Sequence, residues 1–326
     1  ASGLKSWKKN ISITGKIKGP VADLQGNNIR IHAGQNTNLY GDIHLTGLPD
    51  IDKTFINFKS NDFRTTYKDV VTFIPSLKDI HQPHIDQIRN LHFVGNFQGT
   101  IKNFITSGTI ETNIGSMVTN LSMQFPEHRP TIYSGTLLTN DFELGKFMGD
   151  SSLGALSFRG KIEGSGLTIN TMNASLDGNI RQFNYKGYSY SNIFVNGQLT
   201  KKRFNGTIIS KDSNLQARLN GLIDLSGATP KFDFDASVDN ANLLALHFLK
   251  DSLSFNGKLR FNFSGNDIDH FLGKARIYDA TVIKRGERLS FDSLVVESNI
   301  IDRSKTITVI SNEFEGAIGG EFSIKA

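Results

Sequence analysis

The sequence predicts an all-β protein built on a long, mainly antiparallel sheet, and three observations predict it. Segments between Tyr188 and Ser264 alternate apolar and polar residues almost without error, which marks strands with one dry and one wet face. The spacers between them, such as Lys201-Lys202-Arg203, Lys211-Asp212-Ser213-Asn214 and Ser226-Gly227-Ala228-Thr229-Pro230, are short and turn-like, as hairpins require. Almost every strand has a single apolar face, which disfavours a parallel sheet covered by helices on both sides.

The alternation is cleanest in three segments. Leu215, Ala217, Leu219, Gly221, Ile223 and Leu225 face away from Gln216, Arg218, Asn220, Asp224 and Ser226, with Leu222 the exception. Phe232, Phe234, Ala236 and Val238 alternate with Asp233, Asp235, Ser237 and Asp239. Leu253, Phe255, Gly257, Leu259, Phe261 and Phe263 alternate with Ser254, Asn256, Lys258, Arg260, Asn262 and Ser264. Ile193, Val195, Gly197 and Leu199 follow the same rule more weakly, because Phe194 breaks it.

In chain order, Ile11 to Ile17 is a strand closed by Gly19-Pro20, and Ile29, Ile31 and Ala33 form a short second one. Leu39 to Thr46, Phe55 to Lys59 and Phe63 to Tyr67 follow. Ile74 to Asn90 loses the alternation; Ile80, Ile85 and Ile88 suit one or two short helices broken at Pro83. Strands resume over Leu91 to Phe97, Phe104 to Glu111 and Ser116 to Met123. Between Asn140 and Asp150 a helix is expected to carry Leu144, Phe147 and Met148 from a cap at Asn140 or Asp141. Leu156 to Ile162, Met172 to Leu176 and Asn179 to Tyr185 continue the meander.

Asn240 to Lys250 is dense in Leu and Phe. With Asp239 or Asn240 as a cap, it reads as a short helix that packs on the sheet or plugs its end. Ile268 to Leu272 suggests another helical turn, and Ala275 to Tyr278, Leu289 to Val296, Thr306 to Ile310 and Phe314 to Ile324 complete the strands. Leu156-Ser157-Phe158-Arg159-Gly160-Lys161-Ile162 and Leu253-Ser254-Phe255-Asn256-Gly257-Lys258-Leu259 each follow an apolar helix-like patch, an internal echo at roughly 100 residues. So high a strand content fits a β-solenoid, a barrel or a long grooved sheet better than an ordinary domain.

The totals agree. The 326 residues include 24 Phe, 31 Gly and one Trp, with 21% charged residues, a globular and β-rich balance rather than a disordered one. A net charge of +5 over this length reads as solubility, with no nucleic-acid partner. The absence of Cys excludes disulfides and Cys-ligated metals. No run of 18 apolar residues occurs, so no helix spans a bilayer, and the start Ala1-Ser2-Gly3-Leu4-Lys5 is not a signal peptide.

A one-sided sheet must cover its dry face by pairing with another sheet, closing into a barrel or curling into a trough. Each large apolar side chain left wet forgoes roughly 1.5–3 kcal/mol. Alternation by itself fits a filled core better than a trough. Inward Gly160, Gly197, Gly221 and Gly257 would ease bending on a concave side.

No nucleophile elbow, P-loop or dinucleotide fingerprint occurs, and the chain reads as a non-enzyme without cofactor or metal. His81 and His84, near Asp79 and Asp86, have metal-ligand spacing but no clear third ligand, and read as a polar loop. Asp233, Asp235 and Asp239 fall on a wet strand face rather than in a carboxylate site. Lys201-Lys202-Arg203 could meet phosphate headgroups but reads first as a hairpin turn. A carbohydrate enzyme or adhesin would need carboxylates or aromatics clustered on a wet face, where mostly Ser, Asn, Lys and Asp stand.

The run from Tyr185 to Leu199, then Phe204-Asn205-Gly206, Asp212-Ser213-Asn214-Leu215 and Leu219 to Gly227, resembles the AsmA-like proteins of the TamB type found in Bacteroidota. Phe232-Asp233-Phe234-Asp235-Ala236 with Ala241-Asn242-Leu243 and Leu246, and Phe93 to Gly99 with Gly108 to Gly115, fit the same pattern. The likeness covers most of residues 35–285 and rests on degenerate strand patterns.

The resemblance implies a curved sheet rolled into a hydrophobic groove that carries phospholipid between inner and outer membranes. It also implies a periplasmic protein anchored in the inner membrane by an N-terminal helix, linked to outer-membrane protein assembly through an Omp85-type outer-membrane barrel. Residues 1–326 then form one continuous groove segment of a longer chain, with repeat units at about 35–139, 140–239 and 240–326. The inward positions expected to meet acyl chains are Ile193, Phe204, Ile208, Leu219, Ile223, Phe232, Phe234, Phe255, Leu259, Phe261 and Phe263. The alternative is a scaffold that meets barrel or secreted proteins directly, without conducting lipid.

Overall fold

The computed structural model describes residues 11–267, 269–301 and 304–320. Among the described residues strands make up about two-thirds and helices are few, against roughly 20–25% strand in ordinary domains. The fold is all-β, and every described strand pairing is antiparallel. The chain divides into two compact units, with the boundary between Ala174 and Ser175.

The first unit is a meander of β1 (Ile11–Lys18), β2 (Asp23–Ala33), β3 (Thr37–Thr46), β4 (Phe55–Thr66), β5 (Asn90–Thr100), β6 (Asn103–Thr112), β7 (Gly115–Gln124) and β8 (Ile132–Asn140). A two-residue β9 (Phe142–Glu143) and β8 both pair with β10 (Leu153–Ser165). The unit boundary falls inside β11 (Asn173–Tyr185). The second unit continues through β12 (Tyr188–Thr200), β13 (Arg203–Lys211), β14 (Leu215–Asp224), β15 (Lys231–Asn242), β16 (Leu253–Ser264), β17 (Leu272–Lys284), β18 (Glu287–Ile301), β19 (Ser304–Ser311) and β20 (Glu315–Gly320). Each of β13 to β20 pairs with the strand before it. No described pairing brings β20 back onto an earlier strand, so this ladder is an open sheet and not a barrel.

Several strands are longer than alternation suggests. Phe55 to Lys59 and Phe63 to Thr66 merge into β4, because the register shift between Ser60 and Phe63 is a bulge that interrupts the period without ending the ladder; Tyr67 already belongs to the helix that follows. The expected strands Met172 to Leu176 and Asn179 to Tyr185 merge into β11, which begins at Asn173. β8 has no counterpart in the sequence reading, because adjacent Leu137 and Leu138 blur its alternation. The expected helical turn at Ile268 to Leu272 includes Ile268, which lies outside the described residues; Leu272 begins β17. The last strand is described only to Gly320, so Glu321 to Ile324 also lie outside.

The helices differ most. The helix α1 (Tyr67–Phe73) lies wholly upstream of the expected span, Ile74 to Asn90. Thr66 caps it by accepting from the Asp69 backbone N at 3.2 Å. Pro75 and Pro83 then leave only single 3-10 turns at Pro75–Asp79 and Ile85–Gln87. The helix α2 (Leu144–Met148) forms where expected, but neither Asn140 nor Asp141 caps it. Pairing of Phe142 with Leu156 and of Glu143 with Ala155 draws the preceding residues into the sheet. Asn240 to Lys250 holds no helix. Asp239 and Asn240 are absorbed by a bulge, where Val238 pairs with Gly257 and Ala241 with Phe255, and residues 243–249 form tight turns.

Gly221 shows how closely the strands approach. Its φ is +137°, and a Cβ there would lie 2.3 Å from the Asp233 carbonyl oxygen and 2.6 Å from the Phe234 Cα. Its cross-strand neighbours on the apolar face are Gly206 and Phe234. Gly221→Ala should lower unfolding stability by roughly 1–3 kcal/mol, measured by urea denaturation; an unchanged midpoint would mean that this approach is not required.

Candidate functional site

The second unit's pairing register lines the inward residues into rows. One runs Leu199, Phe204, Ile223, Phe232, Phe263, Gly273. The next runs Gly197, Gly206, Gly221, Phe234, Phe261, Ala275, Val296, Val309. A third runs Val195, Ile208, Leu219, Ala236, Leu259, Ile277, Leu294. A fourth, beside the bulges, holds Leu215, Ala241, Phe255 and Val282. Ile193, paired with Ser210, flanks the third row on the same face. All eleven expected positions therefore lie on one face of one sheet.

Their burial is informative. Every one of the eleven is half-buried, neither sealed nor bare. Phe232 meets Phe263 at 5.0 Å between ring centroids, Phe234 meets Phe261 at 5.2 Å, and Phe263 meets Phe271 at 4.9 Å. All three contacts are tilted, with interplanar angles of 37°, 54° and 43°, which suits aromatic quadrupoles better than a face-to-face sandwich. Only Phe271 in this cluster is buried, at 7% exposure, at the end of the rows where β16 turns into β17.

The opposite end is plugged. Leu246, 2% exposed, packs with Tyr190 and Ala241, and Ile193, Leu215, Val238, Leu243 and Phe255 pack around them. The patch at 243–250 fills this end as the sequence suggests, but by turns. Ile193 and Phe255 are thus covered by the chain's own residues.

A buried carboxylate clasps the plugged end. Asp212 is 1% exposed. The Tyr188 hydroxyl and the Asn214 backbone N donate to its Oδ1, and the Ser191 backbone N and hydroxyl to its Oδ2, both at 2.8 Å. Burial pushes the Asp212 carboxyl up, but hydrogen bonds from Tyr188, Asn214 and Ser191 outweigh it and hold the pKa below its ordinary value. Burial and then Asp212 raise the Tyr188 hydroxyl. Alternation placed Asp212 in a polar hairpin turn; only the folded chain encloses it. Leu246, Tyr190, Phe271 and Asp212 are the positions that sequence reasoning left out of the site, although the Leu-rich run at 243–249 was a usable signal for Leu246.

The first unit repeats the design. Ile43, Phe58, Phe97, Thr106, Leu121, Gly135 and Ile162 form one inward row, and the Phe97 and Phe104 rings meet at a tilt with centroids 4.6 Å apart. Phe142 and Phe147 pack at 5.4 Å beside β10. Asp69, 2% exposed, accepts from the Asn36 backbone N at 2.8 Å, tying α1 to the β2–β3 turn.

The polar candidates fall elsewhere. Asp233, Asp235 and Asp239 are exposed, and Asp235 pairs with Arg260 at 2.7 Å across the wet face. Lys201 and Lys202 form the β12–β13 turn. The His84 backbone N donates to the Phe147 carbonyl and its ring lies 3.7 Å from Asp86. Among the described residues no three His, Asp or Glu side chains gather to hold a metal ion. What the arrangement can do is cover apolar matter: an alkyl chain laid on the rows gains about 0.8 kcal/mol per buried CH₂. Comparison with protein families, curated proteins and solved structures finds no match to this chain.

Because the Asp212 pKa is depressed on folding, its contribution is complete above about pH 4, the unfolded carboxyl value. It is lost as pH falls through the lower folded-state pKa. Asp212→Asn should therefore cost roughly 1–3 kcal/mol at neutral pH, and the gap to the parent should narrow below about pH 4. Thermal melts across pH measure this; a gap independent of pH would assign the loss to shape alone.

Proposed function

We propose that this chain is a segment of a periplasmic, bridge-like lipid carrier of the AsmA-like, TamB type, whose apolar rows shield phospholipid acyl chains between the inner and outer membranes. The observation behind this reading is the half-burial of the nine inward positions outside the plug, all of the eleven but Ile193 and Phe255. A filled core would bury these Leu, Ile and Phe side chains almost completely. A face left permanently wet would forgo roughly 1.5–3 kcal/mol at each large side chain. An apolar guest that enters and leaves accounts for both the apolar rows and their partial exposure.

In this reading the segment binds and positions, and catalyses nothing. The longer protein is anchored in the inner membrane and acts with an Omp85-type outer-membrane barrel in outer-membrane assembly. No described helix is long and apolar enough to cross a membrane, so the proposed anchor is not among these residues.

A photo-crosslinking residue at Phe234 or Phe261, activated in intact cells, should trap phospholipid, identified by mass spectrometry. One at Asp233, on the opposite face, should not. Polypeptide adducts in place of lipid would favour the scaffold reading, and adducts equal on both faces would end the groove reading. Leu219→Asp should reduce the lipid adduct from Phe234 about tenfold, by setting a charge in the apolar row.

A further inference from the structure

The β15–β16 connection has a second apolar side that the plug does not use. Leu243 and Leu246 turn inward. Leu244, Phe248 and Leu249 turn outward, with 42%, 58% and 44% exposure. The tip is ordered by its own backbone: His247 N donates to the Leu244 carbonyl, and Phe248 N and Leu249 N to the Leu243 carbonyl. Surface connections are ordinarily polar; this one presents its largest apolar side chains to solvent.

Cations stand around it. Lys186 lies in the β11–β12 turn, whose carbonyl is 3.4 Å from the His247 ring. Lys250 follows Leu249 directly, and Lys284 pairs in register with Leu253. All three are exposed, and none forms an ion pair among the described residues, although the Lys186 Nζ lies 5.5 Å from the Tyr185 ring centroid and Lys284 stands opposite Glu287 in register. The one acidic neighbour in the connection, Asp251, is held by Arg285 at 3.4 Å.

We propose that this tip docks on an anionic lipid bilayer, with Leu244, Phe248 and Leu249 entering between headgroups and Lys186, Lys250 and Lys284 meeting lipid phosphates. Exposed apolar side chains with exposed lysines in the same and adjoining turns are the chemistry of an interfacial anchor. A second copy of the chain fits worse, since tip-to-tip contact would bring the same lysines together. The inference goes beyond the groove reading and does not depend on whether the rows hold lipid.

The test is flotation of the 326-residue chain with vesicles of phosphatidylglycerol and phosphatidylcholine in equal parts, against phosphatidylcholine alone. The protein should float with the anionic vesicles, and added salt should weaken it. Phe248→Ser with Leu249→Ser, and separately Lys186→Gln with Lys250→Gln and Lys284→Gln, should each weaken flotation roughly tenfold. Both should leave the melting temperature unchanged, because these side chains are exposed. Phe248→Trp supplies a readout should the serine variant fold poorly: its emission should shift to the blue with anionic vesicles only. Absence of flotation, equal flotation of the tip variant, or a self-association that the tip variant abolishes without any vesicle binding would overturn the proposal. The tip variants should keep lipid crosslinking from Phe234, so failure here is distinguishable from failure of the groove reading.

Discussion

Constant antiparallel register between neighbouring strands is the constraint on which the site depends. In the second unit Phe204 faces Ile223, Ile223 faces Phe232, and Phe232 faces Phe263. A slip of one residue at any of these steps would turn a whole strand's apolar set to the wet side. The wet face restrains the same register, with Asp235 opposite Arg260 and Lys274 opposite Glu297. Such exposed pairs add little stability; their value lies in disfavouring the slipped pairing.

Register alone would leave the rows without a limit. The second unit sets one at the plugged end, where bulges at Gln216/Ala217, Val238/Ala241 and Asn256/Lys258 coincide with Leu246, Tyr190 and the Asp212 clasp. A bulge reverses which residues point inward, which is how Val238 and Ala241 come to share a face. At the other end buried Phe271 packs on Phe263. Between the two lie about four residues of strand, roughly 13 Å, faced by half-buried Phe, Leu and Ile. Width, apolarity and partial exposure together make this face suited to long, flexible, apolar guests.

Much of this was legible in the residue order. The alternation of Phe232 to Asp239 and of Leu253 to Ser264 states which side of each strand is dry, and all eleven inward positions lie together on that side. The errors lie where the period breaks. Bulges hid the unity of β4, and adjacent Leu137 and Leu138 hid β8. At Asn240 the cap-like residue joined a bulge because strand pairing outcompeted a helix of barely two turns, which is marginal on its own.

Residue order is enough to set the all-β class, the antiparallel order and the apolar side, because each follows from period-two patterning and short turns within a few residues of chain. Tertiary structure alone decided how deeply that side is covered, which residues plug its end, and that a turn aspartate becomes a buried acceptor for Tyr188, Ser191 and Asn214. Burial is a sum over neighbours distant in the chain. Leu246 and Phe248 stand two residues apart in one apolar run, and only the folded backbone turns the first inward and the second outward.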